Sequence, residues 1–297
     1  MKIGILSFAS RANRARPEEL RLQSVAREMG HNVRIFRAHN FKMVYDRHSP
    51  WLLYDNKAFP KLDLVIVRAS ILKNVTLHLS LVEQMEMMGI VLFNRFQPIL
   101  SSKNKIKTTQ ILDHHNISIP QTVIVRRKED LDSAAKKVGG FPLIVKQPTG
   151  SFGNGVVIVE SMRALKSFLL WDQPMYLIQA YVKYSKGTDI RVFVVNGKVI
   201  GSMMRSAKKG EFRSNIELGG VGRPVEVTEE EASLALRSVQ ALDLDFAGVD
   251  LMRSKTGPVI LEVNSNPGFK SLEASTGVDV ARAIVEYGIE YALRHKK

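Results

Sequence analysis

Residues 246 to 268 read FAGVDLMRSKTGPVILEVNSNPG, and within them Asp250, Glu262 and Asn264 alternate with Val249, Leu251, Leu261 and Val263. Alternation of this kind sends the polar set to one face of a strand pair and the apolar set to the other. With the turn at Ser254 to Gly257, Asp250 lies opposite Glu262, at the roughly 4.5 to 5.5 Å Cβ spacing of cross-strand partners. Two carboxylates that close repel unless a cation lies between them. Two carboxylates and an amide oxygen suit Mg²⁺, which takes its remaining ligands from water and nucleotide phosphates. The spacing leaves one alternative open, an exposed polar face balanced by nearby Lys and Arg.

Other groups upstream can join this chemistry. Lys146 ends an apolar run just before Thr149-Gly150-Ser151-Phe152-Gly153-Asn154-Gly155, where a glycine-rich turn can bring backbone N–H groups up to phosphates beside a lysine point charge. A flexible hairpin tip has the same composition. Gln179-Ala180-Tyr181-Val182 is an apolar strand whose backbone can meet an adenine edge, and Asp189, past a turn at Lys186-Gly187, can accept from ribose hydroxyls. An ordinary strand connection reads the same way. Arg205, Lys208, Lys209 and Arg213, with Ser214-Asn215 and glycines at 219 to 222, form a basic loop whose guanidinium forks match phosphates and carboxylates, or simply a solvated loop.

The elements that must carry these groups follow from periodicity. A strand over residues 2 to 7, a helix from Pro17 to Met29 closed by Gly30, and a strand from Asn32 to Phe36 make a β-α-β unit. A strand from Leu62 to Val67, a helix from Thr76 to Met88 and a strand from Ile90 to Phe93 extend it into an open parallel α/β domain. Its ligand side would carry Ser7, Arg68 to Ser70 and Asn94, at the carboxyl ends of the strands. Strand one leads into no G-x-G-x-x-G, and the chain has no G-x-x-x-x-G-K-S/T, so nucleotide must bind elsewhere. Pro98 marks a boundary, and Ser101 to His115 reads as one helix carrying Lys103, Lys105 and Lys107. Beyond Pro120 short strands alternate with helices in an α+β pattern. Asn196-Gly197 marks a hairpin, Thr228 with Glu231 a capping box, and Asp279 to Arg294 a last helix.

Composition narrows the function classes. The 297 residues contain no cysteine, which excludes disulfide frameworks, thiolate metal sites and thiol catalysis and fits a reducing compartment such as the cytoplasm. The apolar run at the N-terminus is confined to Ile3 to Leu6, too short for a signal segment, and no window approaches a membrane span. A net charge of +14 suits polyanionic partners. Its dispersal among acidic residues argues against a nucleic-acid stripe, which would concentrate charge beside stacking aromatics. His114-His115 fits a helix C-terminus better than a metal pair, and the methionines from Met85 to Met88 fit a core.

Taken in order, Lys105, Lys146, the glycine loop, Gln179 to Val182, Asp189, Arg213-Ser214-Asn215, Asp250 and Glu262-x-Asn264 resemble the ATP-grasp ligases. The phrases GTDIRVFVV, EFRSN, AGVDLMR and EVNSNPG make the chain similar to the RimK-type glutamate ligases almost end to end. That resemblance implies an α/β pre-ATP-grasp domain over residues 1–98 and a two-lobed α+β ATP-grasp domain over 99–297, with a lid lobe at about 119–181. It implies phosphate contacts from Lys105, Lys146 and the loop containing Gly153 and Gly155, adenine binding along Gln179, Ala180, Tyr181 and Val182, and ribose binding by Asp189. Arg213, Ser214 and Asn215 would line the nucleotide and acyl-phosphate region, and Asp250, Glu262 and Asn264 would hold two Mg²⁺ (or Mn²⁺) ions. Arg191 and Arg213 are candidates for a cationic clamp on the transferring phosphoryl group. Where this family commonly has a glutamate after the hinge glutamine, the chain has Ala180, a change that adenine binding through the backbone tolerates and that a side-chain role there would turn into altered nucleotide affinity or base selectivity.

The implied reaction phosphorylates a carboxylate with ATP and lets an amine displace phosphate to leave an amide. The resemblance points to L-glutamate as the amine and a protein or acidic-peptide C-terminus, such as a ribosomal protein tail, as acceptor, with one residue or a run of them added. It also implies a homo-oligomer, a tetramer in this family. Relatives acting on a small amino acid, a cofactor precursor or a carrier protein share the same nucleotide site, and the residues that separate them lie near Arg68, Ser70 and 219 to 222.

Overall fold

In the computed structural model, residues 1–9, 15–46, 51–71, 73–150, 155–169, 174–208, 214 and 219–295 are described. The chain opens with β1 (Lys2–Ser7), α1 (Pro17–Glu28) and β2 (Asn32–Arg37). Pro17 begins α1 at a position whose N–H has no intrahelical partner to lose. The N3 residue Glu19 caps the helix, accepting from the Arg16 backbone N–H at 2.9 Å and from the Ser7 hydroxyl at 2.8 Å. A small meander follows, β3 (Phe41–Val44), β4 (Trp51–Tyr54) and β5 (Lys57–Ala58), which sequence periodicity did not suggest. Its second turn uses Asp55 and Asn56, both at positive φ, so it is a two-residue hairpin turn without the usual glycine.

β6 (Leu64–Arg68), α2 (Val75–Met87) and β7 (Leu92–Phe93) complete the first layer. The sheet order is β2-β1-β6-β7, all parallel, as the alternation of strands and helices predicts. Next come α3 (Phe96–Ser102) and α4 (Lys105–His114). Pro98 sits in the first turn of α3, where a missing N–H costs nothing. The single helix expected from Ser101 to His115 is two, because the Asn104 side chain accepts from the Ile106 and Lys107 N–H groups and starts a new helix at Lys105.

β8 (Thr122–Val125), α5 (Leu131–Lys137), β9 (Leu143–Lys146), β10 (Val156–Val159), α6 (Met162–Phe168) and β11 (Tyr176–Ala180) form an antiparallel unit ordered β10-β9-β11-β8. The remainder is β12 (Thr188–Val195), β13 (Lys198–Ser206), β14 (Val221–Pro224), α7 (Glu229–Ala241), β15 (Phe246–Ser254), β16 (Gly257–Asn264), α8 (Lys270–Thr276) and α9 (Val280–His295). Its antiparallel sheet runs β14-β13-β12-β15-β16. Asn196 and Gly197 both take positive φ in the β12–β13 hairpin, and Thr228 and Glu231 exchange the two hydrogen bonds of a capping box at α7.

The last helix returns to the first sheet. Val280, Ile284 and Val285 of α9 share a core with Ile3 and Ile5 of β1, Leu22 of α1, Leu64 of β6 and Phe246 of β15. Among the described residues, no helix is long and apolar enough to cross a membrane.

Candidate active site

The site is assembled on one face of the five-stranded sheet. Strand registers pair Asp189 with Arg205, Arg191 with Asp250, and Asp250 with Glu262, so a row of charged side chains crosses four strands. Asp250 does meet Glu262, but through a bulge: the turn pairs Ser254 with Gly257, a register that alone would set Asp250 opposite Leu261. The apolar partner face differs by one position. A bulge after Asp250 pairs Leu251 with Ile260, and Ile260, rather than Leu261, is buried there.

Arg205 organises this row. Its Nε donates to Asp189 Oδ1 at 2.7 Å and its Nη2 to Asp189 Oδ2 at 2.6 Å, while Nη2 also lies 2.8 Å from Asp250 Oδ2. Arg191 grips the same Asp250 through Nε and Nη2, both at 2.7 Å. Arg205 is 2 % exposed, Asp250 5 % and Asp189 7 %, so the network is almost dry. Burial alone would raise both carboxyls. At Asp250 the two arginines more than offset it and hold the group below its ordinary value. Asp189 has one arginine and a hydrogen bond from the Ser214 hydroxyl, and burial leaves it raised. Each Asp189 oxygen accepts from Arg205 and retains a further lone pair. Arg191, expected as a clamp, has Nε and Nη2 committed to Asp250.

A cleft lies between this sheet and the four-stranded one, with α4 along it. Ser102, Lys105, Thr108, Thr109, Lys146, Leu177, Gln179, Ile260 and Glu262 line it. Lys105 reaches from the first residue of α4 to the Gly150 carbonyl at 3.0 Å and lies 3.8 Å from Glu262 Oε1. Burial lowers the Lys146 ammonium to about 8, with Lys105 repelling it and Glu262 and Asp250 acting the other way. Lys103, between α3 and α4, is lowered to about 8 for the same first reason. Lys105 and Lys146 therefore share the cleft with one carboxylate, a surplus of positive charge that matches phosphates.

Gln179 is buried and donates to Thr122 Oγ1 at 2.8 Å, and the Ala180 N–H donates to the Gln121 carbonyl at 2.8 Å. β11 ends at Ala180, so Tyr181 and Val182 lie beyond the strand, and the Tyr181 hydroxyl is buried with no partner. Gly155 takes φ +75, and a Cβ there would sit 2.7 Å from Gln147 Oε1, so the end of the glycine loop requires this residue. Gly153, Arg213 and Asn215 lie outside the described residues.

The donor chemistry fits Mg²⁺ at two of the three expected ligands. Glu262 has 42 % of its side-chain surface exposed and, among the described residues, only the distant lysine as ionic partner. Asn264 Oδ1 accepts the Asn266 N–H at 3.0 Å and keeps a second lone pair. Asp250 would have to share oxygens that two guanidinium groups already hold. Among the described residues, no cluster of three His, Cys, Asp or Glu side chains could hold a metal.

The sequence reading missed Arg205 as a structural cation and placed it in a solvated loop; the alternation of β13 was the available signal. Ser7 is buried and donates to Glu19. Asn94 is fully buried and braces the two halves of the chain, its side chain bonding Asp245 N, Phe246 N and O, and Ser265 O.

A parallel α/β unit in front of two antiparallel sheets, with lysines and a carboxylate in the cleft between them, defines an ATP-dependent ligase of the ATP-grasp class. The RimK pre-ATP-grasp domain model matches residues 1–99 and the RimK-like ATP-grasp domain model residues 102–288, and the chain belongs to that family. A probable alpha-L-glutamate ligase of Methanococcoides burtonii is 38 % identical over 291 residues, 97 % of this chain and 95 % of the relative. One from Shewanella sp. strain MR-4 is 37 % identical over 300 residues, 100 % of this chain and 98 % of the relative. Among solved structures, the RimK domain protein ATP-grasp of Sphaerobacter thermophilus has a TM-score of 0.73 at 19 % identity, covering 97 % of this chain and 100 % of that one. The ATP-grasp ligase PsnB complexed with minimal precursor, Mg and ADP has a TM-score of 0.73 at 16 % identity, covering 98 % of each chain. These two likenesses establish the fold.

Proposed function

We propose that the protein joins the amine of L-glutamate to the C-terminal carboxylate of a protein or acidic peptide, through an acyl phosphate formed with ATP. The observation that carries this reading is that Lys105, Lys146 and Glu262 line one cleft between the two antiparallel sheets, with Lys105 3.8 Å from Glu262. The amine substrate is supported by the relatives named probable alpha-L-glutamate ligases, and the acidic acceptor by the net charge of +14, which draws anionic partners.

In this reading Lys105 and Lys146 bind and orient the phosphates, and Gln179 to Val182 receive the base. Asp189, through Arg205, fixes the strand that carries Arg191. Glu262 and Asn264, with Asp250 behind them, would hold magnesium, which offsets charge on the transferring phosphoryl group. The acceptor carboxylate gains a phosphoryl group and releases ADP. The glutamate nitrogen then bonds to the acyl carbon as the carbon to phosphate-oxygen bond breaks, releasing phosphate. The glycine loop, tied to α4 through Lys105, would exclude water that hydrolyses an acyl phosphate. Residues 1–98 and 99–297 are the two functional units, with the lid lobe at about 119–181.

The test is intact-mass measurement of a peptide ending in two glutamates after incubation with the protein, ATP, Mg²⁺ and each of the twenty amino acids in turn. An ATP-dependent ladder spaced by one glutamate residue is expected. A ladder with another amino acid would replace glutamate as substrate, and ADP release without a peptide shift would remove the acceptor.

A further inference from the structure

Arg68 ends β6 beside the cleft and is 3 % exposed. Its Nη2 donates to the Pro267 carbonyl at 2.9 Å, and its guanidinium stands 5.6 Å from the centre of the Phe269 ring. Its Nη1 is buried with no hydrogen-bond partner. Burial lowers Arg68 to about 10, Glu18 and Glu19 oppose that shift, and Arg16 adds to it. A guanidinium left with an unused donor in a dry setting is a carboxylate seat waiting for its acceptor.

The matching acceptor is one residue away. Asn266 Nδ2 donates to Ser70 Oγ at 2.8 Å, while Asn266 Oδ1 is buried without a partner. Asn266 also donates its backbone N–H to Asn264 Oδ1 at 3.0 Å, which joins it to the proposed metal face. An orphan donor and an orphan acceptor flanking Pro267 complement a zwitterion, whose carboxylate accepts and whose amine donates. Lys103 lies within electrostatic reach of both Arg68 and Glu262 and adds a further positive charge.

We propose that Arg68 and Asn266 form the seat of the incoming amino acid, with Arg68 Nη1 holding a carboxylate and Asn266 Oδ1 holding the amine that attacks. Lys103 is the second cation that favours an acidic side chain. The assignment rests on the ligase reading and names the substrate subsite within it.

The experiment is steady-state ADP release from the full chain with ATP, Mg²⁺ and the peptide ending in two glutamates, varying each substrate separately for wild type, Arg68→Lys and Asn266→Ala. Arg68→Lys keeps the charge but loses the fork, and circular dichroism checks that each variant is folded. Each variant is expected to raise the KM for glutamate at least about 10-fold while leaving the KM for ATP within about 2-fold. Glutamine and the α-amide of glutamate then show which carboxylate Arg68 holds, since the penalty of Arg68→Lys vanishes for the analogue lacking that group. An unmoved glutamate KM in the folded variants, or an equal rise in the KM for ATP or for the peptide, overturns the seat and leaves the ligase reading standing. Wild-type protein that releases no amino-acid-dependent ADP with any of the twenty removes both.

Discussion

Replacing Arg205 with methionine removes the cation shared by Asp189 and Asp250 while keeping most of the side-chain volume. Arg205 makes three contacts of 2.6 to 2.8 Å to those carboxylates in a region where it is 2 % exposed. Removing one partner of a buried ion pair costs about 3 to 5 kcal/mol, because the remaining charge keeps its desolvation penalty and loses its attraction. At about 2 to 4 °C per kcal/mol in large domains, the melting midpoint at pH 7 should fall by at least about 6 °C, read by scanning fluorimetry. The pH dependence gives a second check. The wild-type Asp250 carboxyl is held below its ordinary value, so its contribution to stability is present above the unfolded pKa of about 4 and is lost as pH falls through the folded value. Without Arg205 both aspartates rise, and the folded variant takes up protons as the medium is acidified. The gap between variant and wild type should therefore be widest at pH 7 and shrink toward pH 4. A loss below about 1 kcal/mol, or a gap unchanged with pH, would refute the reasoning.

Glu262→Gln should abolish turnover and leave the circular dichroism spectrum intact, since the side chain is 42 % exposed and its Lys105 partner stands 3.8 Å away; an unfolded variant would assign it a structural role. Lys146→Ala should weaken ATP binding by about 10- to 100-fold in calorimetry, and unchanged affinity would take Lys146 out of the phosphate site. Asp245, lifted to about 7 by burial, its Oδ2 making no hydrogen bond and standing 3.9 Å from Arg95 Nε, stabilises the fold fully below a pH of about 4 and loses that contribution as pH rises through about 7. Asp245→Asn should therefore melt higher than wild type at pH 8 and equally at pH 4, and a constant difference would contradict the burial argument.

Much of the architecture was legible because its signals are local. Pro17 with Glu19, Thr228 with Glu231 and Asn196 with Gly197 each act through backbone groups within three residues, so their types suffice to start helices or turn a hairpin. The alternation placed Asp250 and Glu262 on one face, but their direct pairing depends on a bulge after Asp250 that the short turn does not set. The Asn104 cap was equally local and was passed over because the lysine-rich run on either side of it reads as one helix.

What tertiary structure decided is who meets whom across long separations and how dry they become. Nothing near Asp189 in the chain says that Arg205 will seize both its oxygens, nor that Arg191 and Arg205 will converge on Asp250. That follows from strand order and from packing that excludes water. The same holds for Arg68, whose unused Nη1 exists because Pro267 and Phe269 close over a residue far from them in the chain. The sequence determined the fold class, the family and the residue types of the site. The tertiary structure decided which of those charges are already paired and which still lack a partner, because desolvation and partner geometry are properties of the packed interior rather than of any segment.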